Sequence, residues 1–290
     1  MGSNDFYPEE RPVHRVSVES FRIDDHPVTN AEFERFVEET GYVTVAERAP
    51  DPADYPDAEP ALLVAGSLVF EPPSGAVRRG DFRAWWSYVP GACWRHPRGP
   101  DSTCHGRADH PVVHIAYEDA EAYATWAGKG LPSEAEWEFA ARGGLEDAVF
   151  VWGNEFAPDG RVLANIWHGE FPWQNLKRDG FERTSPVRAF PPNGYGLFDM
   201  AGNVWEWTHS DFCPSHSPMQ EKRCCVPRRD SGRDAPPSTG TAISQKVLKG
   251  GSHLCAPNYC LRYRPAARQP QSVDSAASHI GFRCILREPK

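Results

Sequence analysis

Glycine and proline are spread along the whole chain rather than gathered into linkers. The 24 glycines and 28 prolines are 52 of 290 residues, or about 18%, compared with roughly 12% in average proteins. Both residues interrupt long helices and strands. Since 15 Phe and 10 Trp argue against a disordered chain, we predict a single irregular, loop-rich α+β domain over residues 1–290.

Three helices are predicted from local signals. Thr29–Glu32 and Ser133–Glu136 each place a hydroxyl residue three positions before a glutamate, which is the capping-box pattern of a helix start. Glycines at Gly41 and Gly143 predict where these two helices end. An apolar stripe predicts the third helix at Tyr117–Ala127.

Strands are predicted at both ends of the chain. Alternating apolar and polar residues over 11–23 indicate a half-buried strand, and residues 281–286 are predicted as a strand that closes the domain. Residues 48–110 show no sustained period, so we expect a long irregular insertion there. Residues 211–243 are expected to form a surface excursion.

The charge distribution argues against nucleic-acid binding. The formal net charge is −9 and the arginines are scattered, so no basic face is expected. No apolar run reaches the roughly 18 residues of a membrane span, and no signal-peptide pattern is present. Eight cysteines are then expected in a reducing compartment. We predict a cytoplasmic monomer that binds neither nucleic acid nor membrane.

Cys255 and Cys260 have a spacing that no regular element brings to one face. In a helix they would point roughly 140° apart, and in a strand they would lie on opposite faces. Pro257-Asn258 between them favours a bend, so we expect the two sulfurs to meet. A disulfide, a redox pair and a metal site all remain open. Among metals, two thiolates suit Cu(I), which accepts low coordination and leaves room for a third sulfur.

Oxygen-bearing side chains among glycines raise the possibility of calcium binding. Asn165, Asp179, Asp199 and Glu206 are interleaved with glycines along residues 165–206. Calcium takes about six to eight oxygen ligands, many of them backbone carbonyls, so irregular glycine-rich loops suit it. The same side chains could instead cap turns, and both interpretations stay open.

Other candidate sites carry weaker signals. Cysteines and histidines between residues 93 and 114 could bind zinc, but their spacing matches no zinc finger, and a strand over 110–114 with its ends in a core is the simpler interpretation. Cys224-Cys225 lies in a polar loop as an incidental pair or a labile disulfide. No Gly-x-Ser-x-Gly elbow supports a serine hydrolase. The residues considered for zinc are Cys93, His96, Cys104, His105, His110 and His114.

Several stretches together resemble the formylglycine-generating enzymes, the sulfatase-modifying oxidases. The stretch most specific to that family combines Ser252, Cys255 and Cys260 with the following Arg262-Tyr-Arg. The resemblance covers essentially the whole chain and implies a C-type-lectin-like fold with little regular secondary structure. The other matching stretches are Pro27-Val-Thr-Asn-Ala-Glu-Phe, Trp94-Arg-His-Pro, Trp126-Ala-Gly-Lys-Gly-Leu-Pro-Ser, Ala164-Asn-Ile-Trp-His-Gly and Gly202-Asn-Val-Trp-Glu-Trp.

The resemblance implies a specific reaction and a copper cofactor. Members of the family use O₂ to convert a cysteine in a Cys-x-Pro-x-Arg segment of an unfolded sulfatase polypeptide to Cα-formylglycine. Cys255 and Cys260 match the two thiolates that hold Cu(I), with the substrate thiol as a third ligand. Ser252, Tyr259 and Trp205 match residues that line the same pocket.

The resemblance also implies two structural calcium sites. Asp199 stands where the family commonly has Asn, a change that keeps an oxygen ligand. The first site would use Asn165, the Ile166 carbonyl, Asp179 and the Phe181 carbonyl. The second would use Asp199, the Gly202 carbonyl, the Val204 carbonyl and Glu206.

Departures from the family pattern bear on the compartment. Secretory members carry cysteines where this chain has Ala124, Ala141 and Pro265, whereas Cys284 is kept without its partner. The missing bridges agree with a reducing cytoplasm. The family also usually carries a Pro-Gly-Gly strand upstream of the position of Met1.

Two alternatives use the same scaffold. A non-catalytic lectin-like binding module would keep the fold without needing the two cysteines. An iron enzyme of the ergothioneine type would need a three-histidine set, which the family usually draws from an additional domain.

Overall fold

Three short α-helices form at the predicted positions. The computed structural model describes residues 1–78, 80–216 and 243–288. Within these residues, no helix has the length and apolar character needed to cross a membrane. The helices are α1 (Asn30–Thr40), α2 (Tyr117–Trp126) and α3 (Glu134–Arg142).

Local capping explains where α1 and α3 begin and end. The Thr29 hydroxyl accepts a hydrogen bond from the Glu32 amide, and the Glu32 carboxylate accepts one from the Thr29 amide at 2.8 Å. Ser133 forms the equivalent capping box at the start of α3. Gly41 ends α1 with φ 68°, a left-handed conformation that only glycine adopts without strain. Both predicted capping boxes are confirmed.

The strands are short and pair in three small sheets. The central sheet has the order β6-β5-β4-β7, in which β4 and β5 are antiparallel and β4 and β7 are parallel. One two-stranded sheet pairs β1 with β8, and another pairs β2 with β3. The strands are β1 (Phe21–Ile23), β2 (Gly66–Phe70), β3 (Trp86–Pro90), β4 (Trp205–Asp211), β5 (Gln245–Lys249), β6 (Gln269–Ser272), β7 (Ile280–Gly281) and β8 (Ile285–Arg287).

The N-terminal segment is not the long strand that its alternation predicts. Only β1 pairs with another strand, and residues 11–20 have no regular structure. Val13 and Val16 are 53% and 41% exposed, so their alternation marks no buried face. Without a neighbouring strand to bond its backbone groups, an alternating segment gains little from extension. Pro8–Glu10 instead forms a 3₁₀ turn that buries Glu10 completely.

A hairpin lies inside residues 48–110, where we predicted irregular structure throughout. It is formed by β2 and β3, and four of the five β2 residues are buried. A strand buried on both faces loses the apolar-polar alternation by which strands are recognised in a sequence. The prediction was therefore wrong at this hairpin.

Two other strand predictions need correction. The predicted strand over 281–286 is divided, because residues 282–284 separate β7 from β8. Residues 110–114 form no strand and make only an isolated bridge from Pro111 to Thr29. The excursion predicted for residues 211–243 lies largely outside the described residues.

Aromatic rings from α1 and α2 form the centre of the main hydrophobic core. The Phe33 and Phe36 rings lie 5.9 Å and 5.6 Å from the Tyr123 ring, centroid to centroid. The same buried cluster contains Cys255 and Cys260. The two cysteines are thus held by the core although they lie in a loop.

Candidate active site

A tight turn after β5 brings Cys255 and Cys260 together. The Ala256 carbonyl accepts hydrogen bonds from the amides of Tyr259 at 3.0 Å and Cys260 at 2.8 Å, so the backbone reverses over Pro257-Asn258. The two sulfurs lie 3.0 Å apart. The predicted bend is confirmed, and it follows from the turn preferences of proline and asparagine.

The two cysteines are buried and reduced. They are 2% and 7% exposed, and both are free thiols, with a sulfur separation longer than the ~2.05 Å of a disulfide. A hydrogen bond from Cys255 and the charge of Arg262 lower the pKa of Cys260 despite its burial. Burial and the neighbouring Cys260 raise the pKa of Cys255. The pair is therefore suited to share one proton, with the negative charge on Cys260.

The backbone around Ser252 is packed too closely for larger residues. Gly251 has φ 72°, and a Cβ there would lie 2.9 Å from the Arg262 carbonyl oxygen. Ser252 is completely buried, and its hydroxyl accepts a hydrogen bond from the Leu254 amide at 3.3 Å. Its carbonyl accepts one from the Cys255 amide at 2.9 Å. Ser252 thus lies in the same turn as the first cysteine.

Tyr259 is part of the cysteine turn, and Trp205 belongs to the apolar cluster that holds it. The Tyr259 ring is 36% exposed and stacks on Phe171, with ring centroids 4.2 Å apart. Trp205 is buried in β4 and belongs to the same apolar cluster as the cysteines. The structure therefore places one aromatic ring at the surface beside the cysteines and one in the core. Their roles in catalysis stay predictions.

The N-terminal segment contributes to this site in a way that the sequence did not predict. A nitrogen of Arg262 donates to the Glu9 carboxylate at 2.6 Å, and the guanidinium lies 3.9 Å from the centre of the Tyr7 ring. The Tyr7 hydroxyl accepts a hydrogen bond from the Leu261 amide at 3.0 Å. Acidic Glu9-Glu10 and the basic residues after Cys260 were the only available signal, and nothing local relates two segments about 250 residues apart.

Comparison with known proteins identifies the family. Residues 1–288 match the profile described as the sulfatase-modifying factor enzyme 1-like domain. The chain is 55% identical over 286 residues to the formylglycine-generating enzyme of Mycobacterium tuberculosis, covering 98% of this chain and 93% of that protein. This chain belongs to the sulfatase-modifying factor family. The Bos taurus formylglycine-generating enzyme is 47% identical over 275 residues, covering 95% of this chain and 68% of that protein.

The fold agrees with this family assignment. The structure of PvdO from Pseudomonas aeruginosa is similar with a TM-score of 0.62, covering 98% of this chain and 89% of PvdO at 22% sequence identity. Few helices, short strands and long loops are the mixed, C-type-lectin-like architecture that the sequence resemblance implied. The prediction of the fold class is confirmed.

The first of the two calcium sets implied by the family resemblance lies around one buried carboxylate. Asp179 accepts hydrogen bonds from the amides of Ile166 at 3.2 Å and Phe181 at 3.1 Å, and its side chain is fully buried. Asn165 is buried beside them, and His168 lies 3.4 Å from the Asp179 carboxylate. The four predicted residues are thus brought into two adjoining loops that carry hard oxygen donors, which suit calcium.

The second calcium set that the family resemblance implies lies just before β4 and at its start. Asp199 and Gly202 adopt left-handed conformations with φ 56° and 75°. Asp199 is buried, and burial raises its pKa. Glu206 is completely buried and accepts two hydrogen bonds from Arg283, both at 2.7 Å. Val204 is buried between them in the chain. A cation here would offset the cost of burying the charge of Asp199. It would share the Glu206 carboxylate with the Arg283 guanidinium.

No cluster of three metal-binding side chains occurs in the described parts of the chain, counting His, Cys, Asp and Glu. Each predicted calcium set contains at most two such side chains and otherwise uses amide or carbonyl oxygens, so this absence does not bear on calcium. The zinc interpretation is wrong, because all six residues considered for zinc are described and no three of them form such a cluster. His114, for example, is a buried core residue whose ring bonds Ser67 and the Pro97 carbonyl. Cys224 and Cys225 lie outside the described residues.

Proposed function

We propose that this protein is a formylglycine-generating oxidase. Its substrate would be the cysteine of a Cys-x-Pro-x-Arg segment in an unfolded sulfatase polypeptide, oxidised with O₂ to Cα-formylglycine. The observation that carries the proposal is the pair of buried, reduced sulfurs 3.0 Å apart. Support also comes from the relatives named formylglycine-generating enzyme that match nearly the whole chain.

The donor set fits Cu(I). Cys255 and Cys260 offer two soft sulfur ligands on a turn that the core holds in place, and soft thiolates select monovalent copper. A bound copper ion would supply one-electron redox chemistry with O₂. Calcium, in two structural sites, is the second proposed cofactor, and its ligands are the residues named above.

The surrounding residues would bind and orient rather than react. Arg262 places a positive charge beside Cys260, which favours the ionised sulfur that metal binding requires. The exposed ring of Tyr259 offers an apolar surface for the substrate proline. Burial of Ser252 and both sulfurs excludes bulk water from the reaction. We place the enzyme in the cytoplasm as a monomer. The free thiols of Cys93, Cys104, Cys255, Cys260 and Cys284 agree with a reducing compartment.

Copper titration combined with a turnover assay tests the proposal. Oxidising a thiol carbon to an aldehyde with loss of sulfide releases two electrons, whereas reducing O₂ to water takes four. The assay therefore includes a thiol reductant, and formylglycine is measured by mass spectrometry of a Cys-x-Pro-x-Arg peptide. Cys255→Ser and Cys260→Ser are each expected to lower turnover at least 100-fold and to weaken Cu(I) binding in a chelator competition.

Cys104→Ser is the matched control, since Cys104 lies outside the turn and is only partly buried. It should leave both measurements unchanged. A copper-loaded parent protein without turnover would refute the proposal, as would Cys255→Ser and Cys260→Ser variants as active as the parent. Those outcomes would favour the non-catalytic lectin-like binding module.

A further inference from the structure

A cavity lies beside the cysteine turn and is not explained by the chemistry proposed above. It has a volume of about 180 Å³, and its lining includes Phe70, Trp167, Trp173 and Arg183. Phe70 and Trp167 are buried, while Trp173 is 37% exposed. The cavity therefore has a rigid aromatic floor and one aromatic ring accessible from solvent.

Trp167 leaves a buried donor unused. Its indole Nε1 is buried and has no hydrogen-bond partner among the residues that the structure describes. Its backbone amide donates to the Cys255 carbonyl at 2.9 Å, so the ring is fixed relative to the cysteine turn. A buried N–H without an acceptor is unfavourable, and a ligand oxygen that reached it would supply the missing hydrogen bond.

A continuous set of contacts connects this cavity with the reacting cysteines. Tyr259 stacks on Phe171 at 4.2 Å, and Phe171 stacks on Phe70 at 5.7 Å, centroid to centroid. On the surface, the Asn258 side chain donates to Glu170 at 2.9 Å, and the Trp173 amide donates to the Glu170 carbonyl at 3.1 Å. An extended peptide advances about 3.3 Å per residue, so a residue a few positions away from the substrate cysteine could reach the cavity.

The charged groups at the cavity neutralise one another. Lys177 pairs with Glu182 at 2.6 Å, and Arg183 pairs with Glu71 at 3.1 Å. The cavity therefore combines aromatic rings and one N–H without a partner with charged side chains that are already paired. An aromatic side chain with a backbone carbonyl beside it fits both features.

We propose that this cavity is a subsite for an aromatic side chain of the polypeptide substrate. The side chain would pack against Trp173 and Phe70, and the carbonyl of the same residue would accept a hydrogen bond from Trp167 Nε1. The inference rests on the proposed function, because it requires a polypeptide substrate bound at Cys255 and Cys260. It assigns to Trp173 a role in substrate selection.

Peptide binding to the metal-free, reduced protein tests the subsite. Fluorescein-labelled peptides carry Ser-x-Pro-x-Arg, with serine in place of the reacting cysteine, and a single Phe is moved through positions three to five on either side. At one position, Phe in place of Ala should tighten binding about tenfold in fluorescence polarisation. Trp173→Ala should abolish that gain and leave the affinity of the all-Ala peptide unchanged.

Two further variants make the result specific. Phe139→Ala removes an exposed aromatic ring of α3, 48% exposed, and should keep the full gain. Trp167→Phe retains an aromatic ring without the N–H and should lose part of the gain. The subsite is refuted if no Phe position tightens binding, or if the gain survives Trp173→Ala. Failure of the proposed function would be seen separately. In that case copper-loaded parent protein would not turn over the Cys-x-Pro-x-Arg peptide that lacks the added Phe.

Discussion

At the scale of single residues, Glu138 shows how buried charges constrain this molecule. Its side chain is fully buried and lies 3.2 Å from Lys249 and 2.7 Å from Arg142. Burial alone would raise the pKa of Glu138, but the two positive charges and hydrogen bonds from Arg142 and the Gly2 amide lower it to about 2. The ionised carboxylate therefore stabilises the folded state.

Glu138→Gln should destabilise the protein in a pH-dependent way. A carboxyl group whose pKa is lowered on folding contributes stability above its unfolded pKa, near 4.5, and loses it as the pH falls through about 2. At pH 7 we expect the free energy of unfolding to fall by about 3 kcal/mol. The difference from the parent should shrink progressively below pH 4.5, as measured by urea unfolding across pH.

Glu118→Gln provides the control for this prediction. Glu118 pairs with Arg48 at 2.9 Å, but the two side chains are 62% and 45% exposed. Exposed ion pairs contribute about 0–1 kcal/mol, so this change should have little effect at any pH. A Glu138→Gln penalty that stayed constant between pH 7 and pH 3 would contradict the electrostatic explanation.

At the scale of elements, the N-terminal segment packs against the residues that follow the cysteine turn. Glu10 is completely buried and forms two hydrogen bonds with Arg264, at 3.0 Å and 2.5 Å. The Arg264 guanidinium also lies 3.6 Å from the centre of the Phe6 ring. Residues 6–10 thereby close one side of the segment that carries Cys260.

Glu10→Gln should loosen this contact. Removing one partner leaves the Arg264 charge buried and uncompensated, which costs roughly 3–5 kcal/mol. We expect the urea midpoint to decrease accordingly with an unchanged slope, and thermal unfolding to shift to lower temperature. Glu59→Gln changes an exposed glutamate and should leave both measurements unaltered. Equal midpoints for Glu10→Gln and the parent would show that the pair contributes no net stability.

These elements show which features could be predicted from the sequence. The capping box at Thr29 and the bend over Pro257-Asn258 depend on residues a few positions apart, so their signals are local and both predictions held. The pairing of Glu10 with Arg264 joins residues 254 apart, and no local pattern encodes it. The alternation around Val13 failed for the same reason, because burial of one face depends on a partner strand that the sequence does not reveal.

At the scale of the whole molecule, strand pairing joins the two ends of the chain, whereas the loops between them pack against one another. β1 pairs with β8, so the first and last strands lie side by side. The loops of residues 165–181 and 199–206 pack together, since a Cβ on Gly202 would lie 2.2 Å from the Asn165 carbonyl oxygen. Motifs could predict which loops carry oxygen-bearing side chains, whereas the packing of these loops against each other depends on long-range contacts.

Calcium bound to these loops should stabilise the entire fold. A ligand that binds only the folded state at 100 times its dissociation constant adds about 2.7 kcal/mol, which corresponds to a rise in Tm of roughly 5 °C or more for a chain of this size. Chelation with EGTA should lower Tm by that amount, and added calcium, but not magnesium, should restore it. Asp179→Asn should reduce the shift, whereas Asp159→Asn, at an exposed turn, should preserve it. A Tm that is the same in EGTA and in calcium would exclude both sites.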